Sequence, residues 1–358
     1  MEEDQMASEF LFLNMVIWIG LYLIVGLSLN IEYGHGGIPN FGRAFAVLVG
    51  AIGVGGVTNR ILMAIFGVSG QIIDASGVVK TTMNDIISQN PIVGVGLLIF
   101  ALALAALLGA VTGALFILPS AKLSEDYLAI TLLAISEVFF MVSYYHPDII
   151  GGYYGVTVPN VLNFIPGEQR LFVFAIIIVA TAILVYFIVD RMLTSPYGRL
   201  LKAMRENDAV VRAYGKDIMR LRIKTVAFGS AVAALAGALY SMFSVNVIAT
   251  NFSRVEWTFY PFLMILLGGL GNTRGVFVGV SAFVIARIFL ITYKFEIVRT
   301  LGLPFDPVWL EYILFGIVML VILIYRPEGI LKERPVMTAP IKRVLERRKI
   351  SAKSIYAK

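Results

Sequence analysis

The residues of this chain that could do chemistry do not include a conventional nucleophile or metal set. The sequence has no cysteine, which removes disulfides, thiolate metal sites and cysteine nucleophiles together. Its two histidines, His35 and His146, have no second ligand at a metal-binding spacing, so solvent-facing or capping roles are expected of both. Nothing resembles a hydrolytic triad. A phosphate cradle of the Gly-x-x-x-x-Gly-Lys-Ser/Thr type is also missing, because Gly215-Lys216-Asp217 lacks both the upstream glycine spacing and the hydroxyl residue. The chain is therefore not expected to hydrolyse ATP or to bind a cofactor itself. What remains is a set of charges inside apolar sequence and one basic cassette.

The cassette is Glu206-Asn207-Asp208-Ala209-Val210-Val211-Arg212-Ala213-Tyr214-Gly215. Asn207 or Asp208 can start a helix by accepting an orphan backbone N–H, and Gly215 supplies the left-handed residue that stops one. The helix is then only about two turns long. Val210 and Tyr214 share a face at i, i+4 spacing, and Ala209 with Ala213 makes a second row of small residues. Two readings fit such an apolar ridge: docking in a partner's groove, or resting on a membrane surface.

The intramembrane charges are the second pointer. Glu137 lies in the middle of the apolar run Tyr127 to Tyr145, where an ionised group costs roughly 2.5 to 3.5 kcal/mol on insertion scales. It should pair with a basic residue such as Arg287 across a helix interface, or line a path. Arg43 and Arg60 bracket the preceding Phe41 to Phe66 run and are placed to snorkel. Asp190 and Arg191 end a helix at the interface.

These residues need a membrane bundle to position them. The chain has 358 residues, 59% of them hydrophobic and 15% charged, too apolar for an ordinary soluble domain. Nine apolar stretches can be read: Phe10 to Leu29, Phe41 to Phe66, Ile92 to Leu118, Tyr127 to Tyr145, Leu171 to Val189, Val226 to Val245, Phe259 to Leu270, Val276 to Thr292 and Trp309 to Tyr325. Most approach the roughly 20 residues that span hydrocarbon. Phe259 to Leu270 is too short and the start of Phe41 to Phe66 is glycine-rich, so broken or re-entrant segments are expected there. The expected fold is an all-α polytopic membrane protein with eight to ten transmembrane helices: a membrane domain over 1–325 and a basic carboxy-terminal tail over 326–358. Glu2, Glu3, Asp4 and Glu9 precede the first stretch and no small-residue cleavage site follows it, which fits a retained helix.

Basic residues set the orientation. The loop 191–224 carries nine Lys and Arg against three acids, and the tail beyond Tyr325 carries ten, so both are expected on the cytoplasmic side. His146 to Gln169 has none and should face outward. Counting back places the amino terminus outside if every stretch crosses once, and inside if one is re-entrant. The net charge of +6 thus sits beside the membrane, where phospholipid headgroups rather than nucleic acid are the natural counterion. Lys342 to Lys358 fits either a disordered basic tail or a surface amphipathic helix.

Glycines add a third layer. Gly109-xxx-Gly113 and Gly271-xxx-Gly275-xxx-Gly279 put small residues on one helical face, where backbones can approach closely. Gly36, Gly37 and Asn40, like Gly268, Gly269 and Gly271, fit either tight packing or irregular backbone whose amides and carbonyls line a translocation pathway.

In order along the chain, six motifs resemble the permease subunit of ATP-binding-cassette importers for branched-chain amino acids, specifically the M-type member of an H/M pair. They are Tyr33-Gly34-x-Gly36-Gly37-Ile38-Pro39-Asn40-Phe41-Gly42-Arg43; Asp126-Tyr127-Leu128-Ala129-Ile130-Thr131-Leu132 followed by Glu137; Gly151-Gly152 with Gly155; Ser195 to Arg199 with Ala203 to Asn207 and Ala213 to Gly215; Gly268-Gly269-Leu270-Gly271 with Gly275; and Arg326-Pro327-Glu328-Gly329-Ile330-Leu331. Arg43 and the segment Lys122 to Asp126 depart from the family's pattern. The resemblance implies an importer permease fold and a cytoplasmic coupling loop at 191–224. Its implied partners are a second, H-type permease, two ATP-binding-cassette ATPase subunits that hold ATP and Mg, and an extracytoplasmic binding protein. In that machine Glu206, Asn207, Asp208, Ala209, Val210, Arg212, Ala213, Tyr214 and Gly215 would take force from the ATPases. The external turn Gly151 to Phe164, rich in Tyr and Asn, would receive the binding protein or cap the bundle. Urea, short amides and other amino acids are alternative substrates by the same resemblance. A self-contained ion-coupled carrier is the rival class, and it would ordinarily place several ionisable groups near the midplane, where only Glu137 is well placed.

Overall fold

The computed structural model describes residues 2–302, 304, 306–326 and 328–333. The tail beyond 333, with the segment Lys342 to Lys358, lies outside the described residues. The architecture is all-helical apart from one antiparallel pairing of two-residue strands, β1 (Val156–Thr157) with β2 (Asn246–Val247). Eight helices are long and apolar enough to cross a membrane.

The first helix, α1 (Glu2–Leu29), runs without interruption into a π segment, Asn30–His35, so the first pass extends six residues beyond the apolar stretch legible in sequence. The chain turns through 36–42 and returns in α2 (Arg43–Ile52), a second π segment (Gly53–Thr58) and α3 (Asn59–Phe66). An amphipathic helix, α4 (Ile72–Gln89), buries Ile72, Val79, Met83 and Ile87 on one face; it was too polar to register as an apolar stretch. Next come α5 (Pro91–Ile117), α6 (Glu125–Tyr145), the single turn α7 (Pro147–Ile150) and α8 (Gly167–Thr194). The basic loop holds α9 (Pro196–Glu206) and α10 (Asp208–Ala213). Then α11 (Ile218–Ser244), α12 (Tyr260–Gly268), α13 (Thr273–Leu301) and α14 (Pro307–Tyr325) complete the bundle.

Helix starts obey local rules. Asn90, Ser195, Asn207, Asp217, Asn272 and Asp306 each accept a backbone N–H at the head of α5, α9, α10, α11, α13 and α14, which satisfies donors that have no intrahelical partner. Pro91, Pro196 and Pro307 occupy the first turn, where their missing N–H costs nothing.

Helix α11 is the centre of the bundle because its buried face is made of small residues: Gly229, Ser230, Ala233, Ala234, Gly237 and Ala238. A Cβ at Gly50 of α2 would collide with the Ala234 carbonyl, and one at Gly237 with the Val47 carbonyl. Gly109 and Gly113 of α5 meet Ala234 and Ser230 in the same way. Gly268 packs on Gly275 and Gly279, joining α12 to α13. With no hydrophobic drive between helices in lipid, such backbone approach supplies the packing energy.

Two faces emerge from the contacts. On one, the basic face, the end of the first pass meets α9 through a hydrogen bond from Arg205 to the Gly34 carbonyl, and Arg222 donates to Ala121 and Leu123 in the loop between α5 and α6. On the other, β1 pairs with β2, Asn84 of α4 accepts from the Asn160 N–H at 2.8 Å, and Arg60 reaches the Ile149 carbonyl at 3.2 Å. The short stretch Phe259 to Leu270 is part of a complete but broken pass: from β2 on the far face, through a 3₁₀ turn (Ala249–Phe252), a π segment (Val255–Phe259) and α12, to Gly271 on the basic face. The eight long helices and this broken one make nine passes among the described residues, and the amino-terminal end of α1 lies on the face opposite the basic one.

Candidate functional site

The cassette forms the helix α10 that its residues dictate. The Asn207 side chain accepts from Ala209 N at 2.9 Å and Val210 N at 3.2 Å, and Gly215 takes φ +72°, a conformation that favours glycine. Asp208, the other cap candidate, is occupied elsewhere: its carboxylate takes a hydrogen bond from Arg222 of α11 at 2.9 Å. Val211 turns inward and is buried, whereas Val210 is 50% and Tyr214 80% exposed. Glu206, Ala209, Arg212 and Ala213 are exposed as well. The result is an apolar and small-residue ridge on the basic face, anchored from beneath by one buried side chain and one ion pair.

A carboxy-terminal strap ties this region to the bundle. Glu333 receives Lys202 Nζ at 2.6 Å and Arg205 Nη2 at 2.7 Å, both from α9. Burial pushes the Glu333 carboxyl up, but the hydrogen bonds and charges of Lys202 and Arg205 outweigh it and hold it below the ordinary carboxylate value. The strap backbone continues inward: Ile330 N donates to the Leu267 carbonyl at 2.9 Å and Leu331 N to the Gly268 carbonyl at 3.0 Å. Asn272, which caps α13, donates to the Lys332 carbonyl at 3.0 Å. Gly269 adopts φ +113° with the Leu331 carbonyl against it, and Gly271 N donates to Asn30 Oδ1 at 3.0 Å. Gly268, Gly269 and Gly271 therefore sit in a packed junction of the first pass, α12, α13 and the strap. Gly36 and Gly37 belong to the neighbouring turn, with Gly37 against Arg205.

Three charged constellations lie within the passes, and the structure corrects two expectations about them. Arg43 does not snorkel: it is fully buried and paired with Glu32, a residue of the π segment that lies beyond the first apolar stretch. Asn40 donates to the same Glu32 carboxylate at 2.9 Å, and Gly229 of α11 leaves the space it fills. Glu137 does not pair with Arg287. Arg287 is committed to Glu256 (2.5 and 2.8 Å), Glu311 (2.8 Å) and the Tyr22 hydroxyl (2.6 Å), with its guanidinium 4.8 Å from the centre of the Tyr260 ring. Glu137 instead faces Arg254 at 3.4 Å. His35 is also buried, its Nδ1 3.2 Å from the Asn30 carbonyl, rather than solvent-facing.

Sequence reasoning missed Glu32, Glu256, Glu311, Arg254 and Glu333. Glu256 and Glu311 carried a signal, since Glu311 lies inside the apolar stretch Trp309 to Tyr325 and Glu256 just before Phe259 to Leu270, while Arg287 lies inside a third, Val276 to Thr292. Glu333 and Arg254 carried none.

Comparison with known proteins identifies the family of the chain. The family model described as branched-chain amino acid transport system / permease component matches residues 11–323. A probable branched-chain amino acid transport permease protein LivM of Methanocaldococcus jannaschii is 55% identical over 329 residues, covering 92% of this chain and 95% of that protein. The high-affinity branched-chain amino acid transport system permease proteins LivM of Escherichia coli K12 and Salmonella typhimurium LT2 are each 23% identical over 338 residues, covering 87% of this chain and 68% of theirs. No solved structure matches significantly.

Proposed function

This chain belongs to the permease-component family of branched-chain amino acid transport systems, and on that premise we propose that it carries leucine, isoleucine and valine through the membrane as one half of the permease of an ATP-driven importer. The chain is a multi-pass membrane protein and not itself a catalyst. The partners in this reading are a second, H-type permease, two ATPase subunits holding ATP and Mg, and an extracytoplasmic protein that delivers the substrate. The basic face lies in the cytoplasm, as the positive-inside rule favours, and the amino terminus lies outside.

The observation that carries the reading is the α10 ridge. A soluble-side helix that exposes Val210 and Tyr214 at half or more of their surface while its other side is pinned to α9 and α11 is shaped to be pushed, not to be solvated. Seating Val210 and Tyr214 in an ATPase groove would bury apolar area worth about 1.5 to 3 kcal/mol per side chain. Ala209 and Ala213 permit close approach, and Glu206, Arg212 and Lys216 meet charges at the groove's rim.

The test is ATP hydrolysis by the complex that purifies with the chain from its native membrane, with and without ligand-loaded binding proteins, for wild type and Ala213→Glu. The reading expects a co-purifying ATPase that responds to one loaded binding protein and loses that response in the variant. Coupled uptake that survives Ala213→Glu would remove α10 from the coupling face. A chain that moved solute alone, with no ATPase under conditions that preserve complexes, would refute the importer reading.

A further inference from the structure

Of the charged groups within the passes, Glu137 and Arg254 stand apart. Glu32 with Arg43 is fully buried, and Arg287 with Glu256 and Glu311 is partly buried and closely bonded. The Glu137 and Arg254 side chains are 32% and 50% exposed, and they approach only to 3.4 Å, longer than the roughly 2.7 to 2.9 Å of a charge-assisted hydrogen bond. Neither makes a hydrogen bond among the described residues.

Their depth excludes an ordinary lipid-facing position. Glu137 is twelve residues into α6, about 18 Å from its basic-face end, and eight residues, about 12 Å, from the other. A half-buried and an exposed charge at that level would each cost up to roughly 2.5 to 3.5 kcal/mol in hydrocarbon, so this flank must meet water or another polypeptide. The same flank of α6 exposes Ile130, Ala134 and Met141, at the spacing with which one helix meets another.

We propose that Glu137 and Arg254 line the translocation path on the flank facing the second permease subunit, and hold the two charged ends of the transported amino acid. The inference rests on the importer reading above and adds to it where the substrate's main chain is read. A carboxylate accepts from an α-ammonium group, and a guanidinium fork donates to an α-carboxylate. An amino acid entering between the two satisfies both groups, and the pair closes on itself behind it. Met141, one turn beyond Glu137, offers apolar surface to an aliphatic side chain.

The experiment uses the whole complex in proteoliposomes with its loaded binding protein. Glu137→Gln and Arg254→Gln should each reduce amino acid uptake at least tenfold, with Glu137→Asp retaining more than Gln. Because the chain has no native cysteine, Glu137→Cys and Arg254→Cys report access directly. A membrane-impermeant thiol reagent should modify both, more slowly during turnover with the transported amino acid. Uptake unchanged in both Gln variants, or cysteines reached only by a lipid-soluble maleimide, would overturn the proposal. So would impermeant labelling indifferent to substrate, which a purely structural pair would give. A wild-type complex that takes up no amino acid would refute the importer reading itself, and this inference with it; wild-type uptake beside unaffected variants refutes the pair alone.

Discussion

Replacing Glu32 by Gln would leave Arg43 ionised in a site where neither partner has any exposed surface. Nε and Nη1 of Arg43 find no other acceptor among the described residues, so the lost charge cannot be made up locally. Removing one member of a buried pair typically costs about 3 to 5 kcal/mol, and a guanidinium cannot escape by shedding its proton. Arg43→Met leaves the Glu32 carboxylate without its cation in the same buried site and should cost a comparable amount. Glu32→Gln/Arg43→Met, with no buried charge, should recover most of the loss. Unfolding of a membrane protein is usually irreversible, so the readout is the half-life of the detergent-solubilised chain at a fixed temperature. Each single variant should shorten it by about a hundredfold or more, and the double variant by much less. A Glu32→Gln chain as durable as wild type, or a double variant worse than either single one, would refute the reasoning.

Glu333→Gln removes charge from two partly exposed contacts worth about 1 kcal/mol each at most. It should leave the fold intact while lowering substrate moved per ATP hydrolysed, a ratio that a strap without a coupling role would not change. Since the Glu333 carboxyl is held below its ordinary value, this contact should persist from pH 8 down through pH 5 and be lost only as pH falls through that depressed value; strap cleavage by added protease that rises already between pH 7 and pH 6 would contradict it. Gly229→Ala drives a methyl into the Glu32 carboxylate and should cost about 1 to 3 kcal/mol as overpacking, seen as a shorter half-life that Gly77→Ala, which faces open space, does not reproduce. Arg287→Met leaves the partly buried Glu256 and Glu311 side by side without their cation and should reduce the yield of folded chain more than Arg254→Met does; equal yields would argue against the Arg287 cluster as a structural tie.

The parts of this molecule that obey local rules were legible in its sequence. The cap at Asn207, the stop at Gly215 and the outward ridge of α10 follow from neighbours within ten residues, and the apolar runs follow from composition alone. What the sequence hid depends on the chain returning to itself. Glu32 meets Arg43 only because the π segment prolongs the first pass and the turn at 36–42 doubles back, so an acid beyond an apolar run becomes a core residue. Only Phe259 to Leu270 of the broken pass shows in hydropathy because Asn246 to Thr258 is too polar for lipid; its irregular backbone is tolerated where it is packed against protein, as at Val247, Ala249, Phe252, Trp257 and Thr258. Glu137 stands out in the sequence as an acid inside an apolar run, but hydropathy does not choose its partner, since Arg254 lies outside every apolar stretch and Arg287 inside one.

The same long-range links bear on how a push at α10 could move a path inside the membrane. Van der Waals packing alone would spread the displacement across whichever helices happen to yield. Here α10 is connected by discrete polar ties to elements that begin or end on the basic face: Asp208 to Arg222 of α11, Arg222 onward to the α5–α6 loop, and, through the adjoining α9, Arg205 to the end of the first pass and to Glu333. Glu333 then leads through the strap to α12 and to the Asn272 cap of α13. The ties reach the ends of passes, where a small displacement tilts a helix without disturbing the α11 crossings, whose backbones are too close to slide past one another. On the proposed function, α6 is moved from its basic-face end through the loop that Arg222 holds. The broken pass is moved through the strap at Gly268. Glu137 rides on the first and Arg254 on the second, so rupture of either the Arg222 or the Glu333 tie should decouple their separation from ATP hydrolysis. A spin-label pair at 137 and 254 whose distance still follows the ATPase cycle after Glu333→Gln or Arg222→Met would show that force travels by another route.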